Sequence, residues 1–506
     1  MIGKNIKMKN FILKIVRSPF FIAVIIFVCF AYLRWIPEKN IGQYPIGYDT
    51  VTSYPQYIQS PISLVESLTA DSFDFFKGLF IWSYHIFQSA SVWVLIKGWG
   101  VLLYGALVVS FFLYLVYGQK IKSNQAVLIV LIFGLSLSIL RVSMELFRNE
   151  LGLIFLFVSL TFWENITPQI NFSNVLKLLF FLLFCFLVYK SHQLVFILLG
   201  MILFSKGLAK IFSFSIFSVQ ALTALIVLGG LSLSPLIFEP LVLYKLSVWV
   251  FYGVSDVTNS TPFAVTPDMV ASLYLFMYKI LSVFAVFGLW RAIKQKLNYQ
   301  VFLLLFILFI SISPLLFSGY GFYVWDRWMY FVILPLSFFA YSGIEVIATR
   351  LYQWLQISCS TTFAICLVII LWQPIAFVYS GRDAKIANFR LPEDTLTNYF
   401  PPVMAGNSLH NFNDTVNDDF VKIFNVLNKE RALVVLDHSL AGFLKTGGMD
   451  APMMESYYGQ LLPNDKINLK SRNFKFYSIG LDYKLVDYTK KITIGNIDVY
   501  RFDAIK

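Results

Sequence analysis

Apolar residues in this chain neither alternate nor recur as a narrow stripe; they come in long blocks separated by short polar intervals. The blocks are Phe20–Trp35, Val101–Tyr117, Gln125–Leu140, Leu151–Trp163, Val175–Tyr189, Val195–Phe204, Phe214–Ser234, Val270–Trp290, Val301–Phe317, Met329–Ile347 and Thr361–Ser380. Most approach the roughly 20 residues that cross a bilayer as a helix, several falling short by strict count, so the pattern predicts about eleven transmembrane helices. The first block has no small-residue cleavage site and is flanked by Trp35 and Pro37, which marks a retained anchor rather than a signal peptide.

The polar intervals give these helices a direction. Lys4, Lys7, Lys9, Lys14 and Arg17, then Lys120 and Lys122, Lys206 and Lys210, Arg291, Lys294 and Lys296, and Arg350 fall in alternate intervals. The positive-inside rule assigns those intervals to the cytoplasm. The N-terminus is then inside, and everything after Ser380 is outside. The interval after Trp163 fits least well, because it holds Glu164 and only Lys177. Cytoplasmic intervals are short, whereas the outer ones include Pro37–Ala90 and Glu239–Pro267. Within the first outer loop, Ser53–Leu68 and Phe73–Phe87 carry apolar residues at roughly helical spacing, as amphipathic helices lying in the interface would.

Residues 381–506 have a different pattern. Ala432–Leu436 reads as a strand preceded by a helix-like Phe420–Asn428, and Ile492–Val499 with Gly495-Asn496 inside it reads as a hairpin. The expected architecture is thus an all-α polytopic membrane domain over residues 1–380 and a small extracytoplasmic α/β domain over 381–506.

Composition agrees with a membrane protein. Of 506 residues, 58% are hydrophobic and 13% charged, about half the charge of a soluble domain. The net charge is +12, but the tail holds sixteen Lys/Arg against fifteen Asp/Glu, so the excess sits in the short membrane intervals. That distribution is not a nucleic-acid face. Cys29, Cys185 and Cys366 lie in apolar blocks and Cys359 at a cytoplasmic end, with neither disulfide nor metal spacing.

Candidate chemistry collects at the outer ends of the blocks. Asp49, in Gly47-Tyr48-Asp49-Thr50 and followed by Tyr54, is either a carboxylate at the membrane surface able to act as a general base or the N-cap of the next helix. Arg141, Glu145 and Arg148 are spaced to share one helix face, followed by Asn149 and Glu150. They read as a phosphate fork steadied by a carboxylate, or as an ion pair on a solvated turn. His192, in Lys190-Ser-His192-Gln193, reads as a phosphate or sugar contact when protonated, or as a hydrogen-bonded surface residue. Asp326-Arg327 enters a span behind the aromatic residues Tyr323 and Trp325; charges at a span mouth face protein or water. Asp71, Asp74 and Lys77, and Glu239 with Lys245, read as solvated surface. The chain has no P-loop, dinucleotide fingerprint, HExxH or Gly-x-Ser-x-Gly. Mid-span ionisable residues are nearly absent and only Pro314 and Pro335 offer helix breaks, which argues for an enzyme at the membrane face over a transporter.

The layout resembles the GT-C superfamily of polytopic glycosyltransferases that use lipid-linked sugars, including protein O-mannosyltransferases and the lipid A aminoarabinose transferase. The residues carrying the likeness are Pro45-Ile-Gly47-Tyr48-Asp49-Thr50 with Tyr54, Arg148-Asn149-Glu150-Leu-Gly152, and Asp326-Arg327 ahead of Tyr330–Pro335 with Gly343. The resemblance implies a sugar moved with inversion from a polyprenyl- or dolichyl-phosphate donor to a glycan, lipid or protein acceptor at the outer face of the plasma membrane, with no nucleotide cofactor. It casts Asp49 as the first-loop acid, Arg148 and Arg141 as cations at the donor phosphate, and His192 and Arg327 as further donors. Tyr48, Tyr54, Asn149 and Asp326 then line the substrate pocket. Many relatives carry a paired acid in the first loop; here Thr50 follows Asp49, and Glu145 is the candidate second acid. No Trp-Trp-Asp motif is present, so whole-glycan transfer to asparagine is not expected, and no metal is favoured. The competing readings are a polymerase or ligase using undecaprenyl-diphosphate-linked glycans, and a non-catalytic transporter or flippase.

Overall fold

The computed structural model describes residues 18–40, 45, 50, 54–59, 61–69, 74–87, 91–167, 169–213, 267–294, 299–312 and 325–379, together with five strands between 433 and 502. The helical part opens with α1 (Pro19–Asn40), a 3-10 turn (Pro55–Gln59), α2 (Leu64–Thr69), α3 (Asp74–Ile86) and α4 (Val92–Leu113), which runs into a π turn at Tyr114–Gly118. There follow α5 (Ser123–Gly134), α6 (Leu137–Glu145), α7 (Phe147–Glu164), α8 (Phe172–Ser191) and α9 (Gln193–Ser213). The last group is α10 (Pro267–Lys294), α11 (Tyr299–Ser311), α12 (Trp325–Phe331), α13 (Ile333–Leu355) and α14 (Cys359–Tyr379). Among the described residues, five helices are long and apolar enough to cross a membrane, or six if the bent pair α5–α6 counts as one. The expected span at Phe214–Ser234, the outer loop Glu239–Pro267 up to its last residue, Pro314 and the helix-like Phe420–Asn428 lie outside the described residues.

Several boundaries differ from the sequence reading. Helix α1 continues through Pro37 to Asn40, and α4 begins at Val92 rather than Val101, so the first outer loop is shorter than Pro37–Ala90. Ser53–Leu68 is not one helix. Pro55 opens the 3-10 turn, and Pro61 precedes a capping box in which Ser63 N–H donates to Glu66 (2.9 Å) and Glu66 N–H donates to the Ser63 hydroxyl (3.1 Å). Helix α3 matches the expected Phe73–Phe87 segment, burying Phe75, Phe76, Phe80 and Ile81 while leaving Trp82 and Ile86 exposed.

The block Gln125–Leu140 breaks into α5 and α6, bent by 65°. The Ser136 hydroxyl donates to Phe133 O (2.7 Å) and accepts from Ile139 N–H (3.3 Å), capping the new helix. The Gly134 carbonyl accepts from the Tyr104 hydroxyl (2.5 Å), so the break leaves that carbonyl satisfied inside an apolar bundle. A Cβ on Gly134 would stand 2.4 Å from the Phe30 ring, which fixes glycine there. The break falls at neither Pro314 nor Pro335; Pro335 sits inside α13.

Contacts divide the bundle into two polar ends around one apolar core. At one end Glu164 of α7 pairs with Lys206 of α9 and accepts from Gln119 (3.1 Å), while Lys206 lies 4.1 Å from the Tyr299 ring centroid of α11. Lys120 and Asn165 bond at 2.7 Å there, and Arg291 pairs with Glu345 at 2.6 Å between α10 and α13. Glu164 therefore shares an end with Lys206 and Lys120, the interval where the sequence reading fitted least well. The opposite end gathers Arg34, Lys97, Arg148, His192 and Arg327. Helices α10 and α13 cross in close backbone contact, since a Cβ on Gly288 would meet Phe339 O at 1.9 Å and one on Gly343 would meet Phe284 O at 1.8 Å.

The strands β1 (Leu433–Asp437), β2 (Met453–Ser456), β3 (Phe476–Ile479), β4 (Lys490–Ile494) and β5 (Ile497–Phe502) form one mixed sheet in the order β2-β1-β3-β5-β4. β1 is parallel to both neighbours, and Ile494 pairs with Ile497 across Gly495-Asn496 in an antiparallel hairpin. The strand expected at Ala432–Leu436 and the terminal hairpin both appear, one or two residues displaced.

Candidate anion site and buried ion centre

Three residues singled out in the sequence come together. His192 is the extended residue between α8 and α9, and its carbonyl accepts from Val195 and Phe196 N–H (both 3.1 Å), opening α9. Its Nδ1 accepts from Leu194 N–H at 3.2 Å, so the hydrogen bond assigns the proton of the neutral ring to Nε2. The ring is 4% exposed. Burial, and then the guanidinium charges of Arg148 and Arg327, hold its pKa well below the usual histidine range. The imidazole is therefore neutral at pH 7. It offers a hydrogen-bond donor rather than the positive charge that the sequence reading considered.

The first turn of α7 carries Arg148 and faces α9. One turn further along, a Cβ on Gly152 would lie 3.2 Å from the Val195 side chain, so the two helix starts pack closely. A helix N-terminus has a positive dipole end and spare N–H groups. Arg148 there and Arg327 of α12 both lie within electrostatic reach of this histidine, and a helix N-terminus with cations near it is a place where anions bind. Lys190 stands at the same end, 5.8 Å from the Phe186 ring centroid.

The other predicted site residues are placed as follows. Arg141 is buried in α6, and Asn149 is buried beside Arg148 in α7. Arg141, Glu145 and Arg148 do not share a helix face, because the chain leaves helical geometry at Leu146 (φ −97°, ψ 53°) and Arg148 belongs to the new helix that starts at Phe147. Phe147 N–H at this break donates to the Tyr54 hydroxyl (3.0 Å), and the Tyr54 ring stacks on Phe147 with centroids 5.1 Å apart. Tyr54 thus caps α7 and packs against Phe76, which in turn meets Trp99 edge-on at 5.7 Å. Glu145 and Asp326 lie in α6 and α12 by backbone alone. Tyr48, Asp49 and Asp71 lie outside the described residues.

The sequence reading missed a second polar centre on another side of α7. Arg34 Nη2 lies 2.6 Å from Glu38 Oε1, Arg34 Nε donates to Ser143 O (3.2 Å), and Lys97 Nζ donates to Glu38 O (2.8 Å). Glu150 of α7 lies within the electrostatic reach of Arg34. Arg34, Glu38, Lys97 and Glu150 are all buried, two basic and two carboxylic side chains in an apolar bundle. The available signal was Arg34 inside the first apolar block, with Glu38 four residues on. Among the described residues, no three His, Cys, Asp or Glu side chains gather as a metal-ligand set. No known protein family and no curated protein matches the chain.

Proposed function

We propose that the protein is a polytopic membrane glycosyltransferase that moves a sugar from a polyprenyl-phosphate donor to an acceptor at the outer membrane face. The observation that carries the reading is that the buried His192, opening α9, lies within electrostatic reach of Arg148 in the first turn of α7 and of Arg327 in α12. Two guanidinium groups, a helix N-terminus and one imidazole N–H match the needs of a lipid phosphate, whose charge must be stabilised as it leaves the sugar. In this reading about eleven spans put the N-terminus inside and this site outside, with residues 381–506 as an extracytoplasmic domain. Asp49 is the acid that accepts the acceptor's hydroxyl proton.

The test is turnover with radiolabelled polyprenyl-phosphate sugars by detergent-purified protein, comparing wild type with Arg148→Gln and Asp49→Asn. Transfer from one donor that falls at least about tenfold in Arg148→Gln supports the proposal. The same pair of arginines suits a diphosphate, so a polymerase or ligase using diphosphate-linked glycans is the second reading. Turnover with diphosphate donors alone selects it. The bend between α5 and α6 is the feature a transporter reading would use, and movement of lipid-linked sugar without bond cleavage would favour that reading.

A further inference from the structure

The ion centre behind α7 has more hydrogen-bonding capacity than the protein uses. Glu150 is 0% exposed, and neither of its carboxyl oxygens has a hydrogen-bond partner among the described residues. The side-chain nitrogen of the adjacent Asn149 is likewise without one. Arg34 contacts Glu38 through Nη2 as an ion pair lacking hydrogen-bond alignment, and its Nη1 is unmatched. A buried carboxyl with both oxygens unmatched is costly, and sites of that kind are where a polar ligand belongs.

Aromatic rings adjoin these groups. A Cβ on Gly100 would lie 3.0 Å from the Phe147 ring and 3.2 Å from Arg34 Nη2, so that glycine brings ring and guanidinium side by side. Phe147 in turn stacks on Tyr54, which meets Phe76 edge-on at 5.3 Å. Carboxyl acceptors, amide and guanidinium donors, and flat apolar faces are together the complement of a pyranose. Its hydroxyls both donate and accept, and its C–H face is apolar.

We propose that Glu150, with Arg34 and Asn149, forms the sugar subsite of the donor, with Glu150 the residue that reads its hydroxyls. The proposal rests on the glycosyl-transfer reading and divides the first turn of α7 between two tasks. Arg148 on one side holds the phosphate; Glu150 on the other accepts sugar hydroxyls. Because Glu150 is fully covered, the side chains packed around it must move for the sugar to enter.

The experiment compares binding of polyprenyl phosphate with binding of the matching polyprenyl-phosphate sugar, in wild type and in Glu150→Gln. Glutamine keeps the shape and removes one acceptor. Wild type should prefer the sugar-bearing lipid, and Glu150→Gln should lose about tenfold of that preference while binding bare polyprenyl phosphate normally. Normal binding of the bare lipid also reports that the variant is folded. A preference unchanged in Glu150→Gln overturns the subsite. Wild type that binds the bare lipid with no preference for sugar overturns it too, while leaving the phosphate site standing. Failure of wild type to bind either lipid overturns both.

Discussion

Lowering the pH should destabilise this protein through one residue, His192. Its pKa in the folded chain lies below the value of about 6.5 expected when unfolded. Above pH about 6.5 neither state binds the proton, so the full contribution is present. Below it the unfolded chain takes up a proton that the folded chain refuses, and stability falls by about 1.4 kcal/mol per pH unit until the folded pKa is reached. The geometry supplies the reason. A proton on Nδ1 would displace the Leu194 N–H bond and set an imidazolium against Arg148 and Arg327. The chain has four histidines, so histidine-labelled protein in nanodiscs gives a short NMR spectrum in which the His192 signal is the one lost in His192→Gln. That signal should still report a neutral ring at pH 6.5, where an unfolded histidine is half protonated. Denaturant unfolding should lose more stability on going below pH 6.5 in wild type than in His192→Gln. A His192 ring that titrates near 6.5, or matching pH dependence in wild type and variant, would refute the reasoning.

Other perturbations test the bundle. In Gly288→Ala the new methyl would stand 1.9 Å from Phe339 O, so α10 and α13 must part by about 1.5 Å, at a cost of about 1–3 kcal/mol readable as a lower melting temperature in detergent. Glu38→Leu leaves Arg34 and Lys97 as an excess of buried positive charge and should cost about 3–5 kcal/mol; adding Arg34→Leu should recover much of it in the same melting assay. Lys206→Met should destabilise the opposite end by about 1–3 kcal/mol, and pairing it with Glu164→Gln should recover part of the loss in a double-mutant cycle.

Block length made the long helices legible, because a bilayer-length apolar run has few other folded uses. The bend at Leu135–Ser136 was not legible, since leucine and serine are ordinary in helices; Phe30 against Gly134 and the Tyr104 hydroxyl fix it from other helices. The break at Leu146 is likewise set from a distance, by Tyr54 taking the Phe147 N–H, and it undid the shared face expected of Arg141 and Arg148. His192, Arg148 and Arg327 were each visible as polar residues at block ends. That they meet depends on how α7, α9 and α12 pack, and the neutral state of His192 follows only from that meeting. The ion centre escaped because Lys97 and Glu150 are distant in sequence from Arg34 and Glu38.

The central claim is that Arg148 and Arg327 hold a lipid phosphate. Binding of polyprenyl phosphate to wild type and to the Arg148→Gln/Arg327→Gln double variant, at two salt concentrations in nanodiscs, tests it most directly. The account predicts binding in wild type that weakens by about a hundredfold or more in the double variant. Equal binding by both proteins would contradict it.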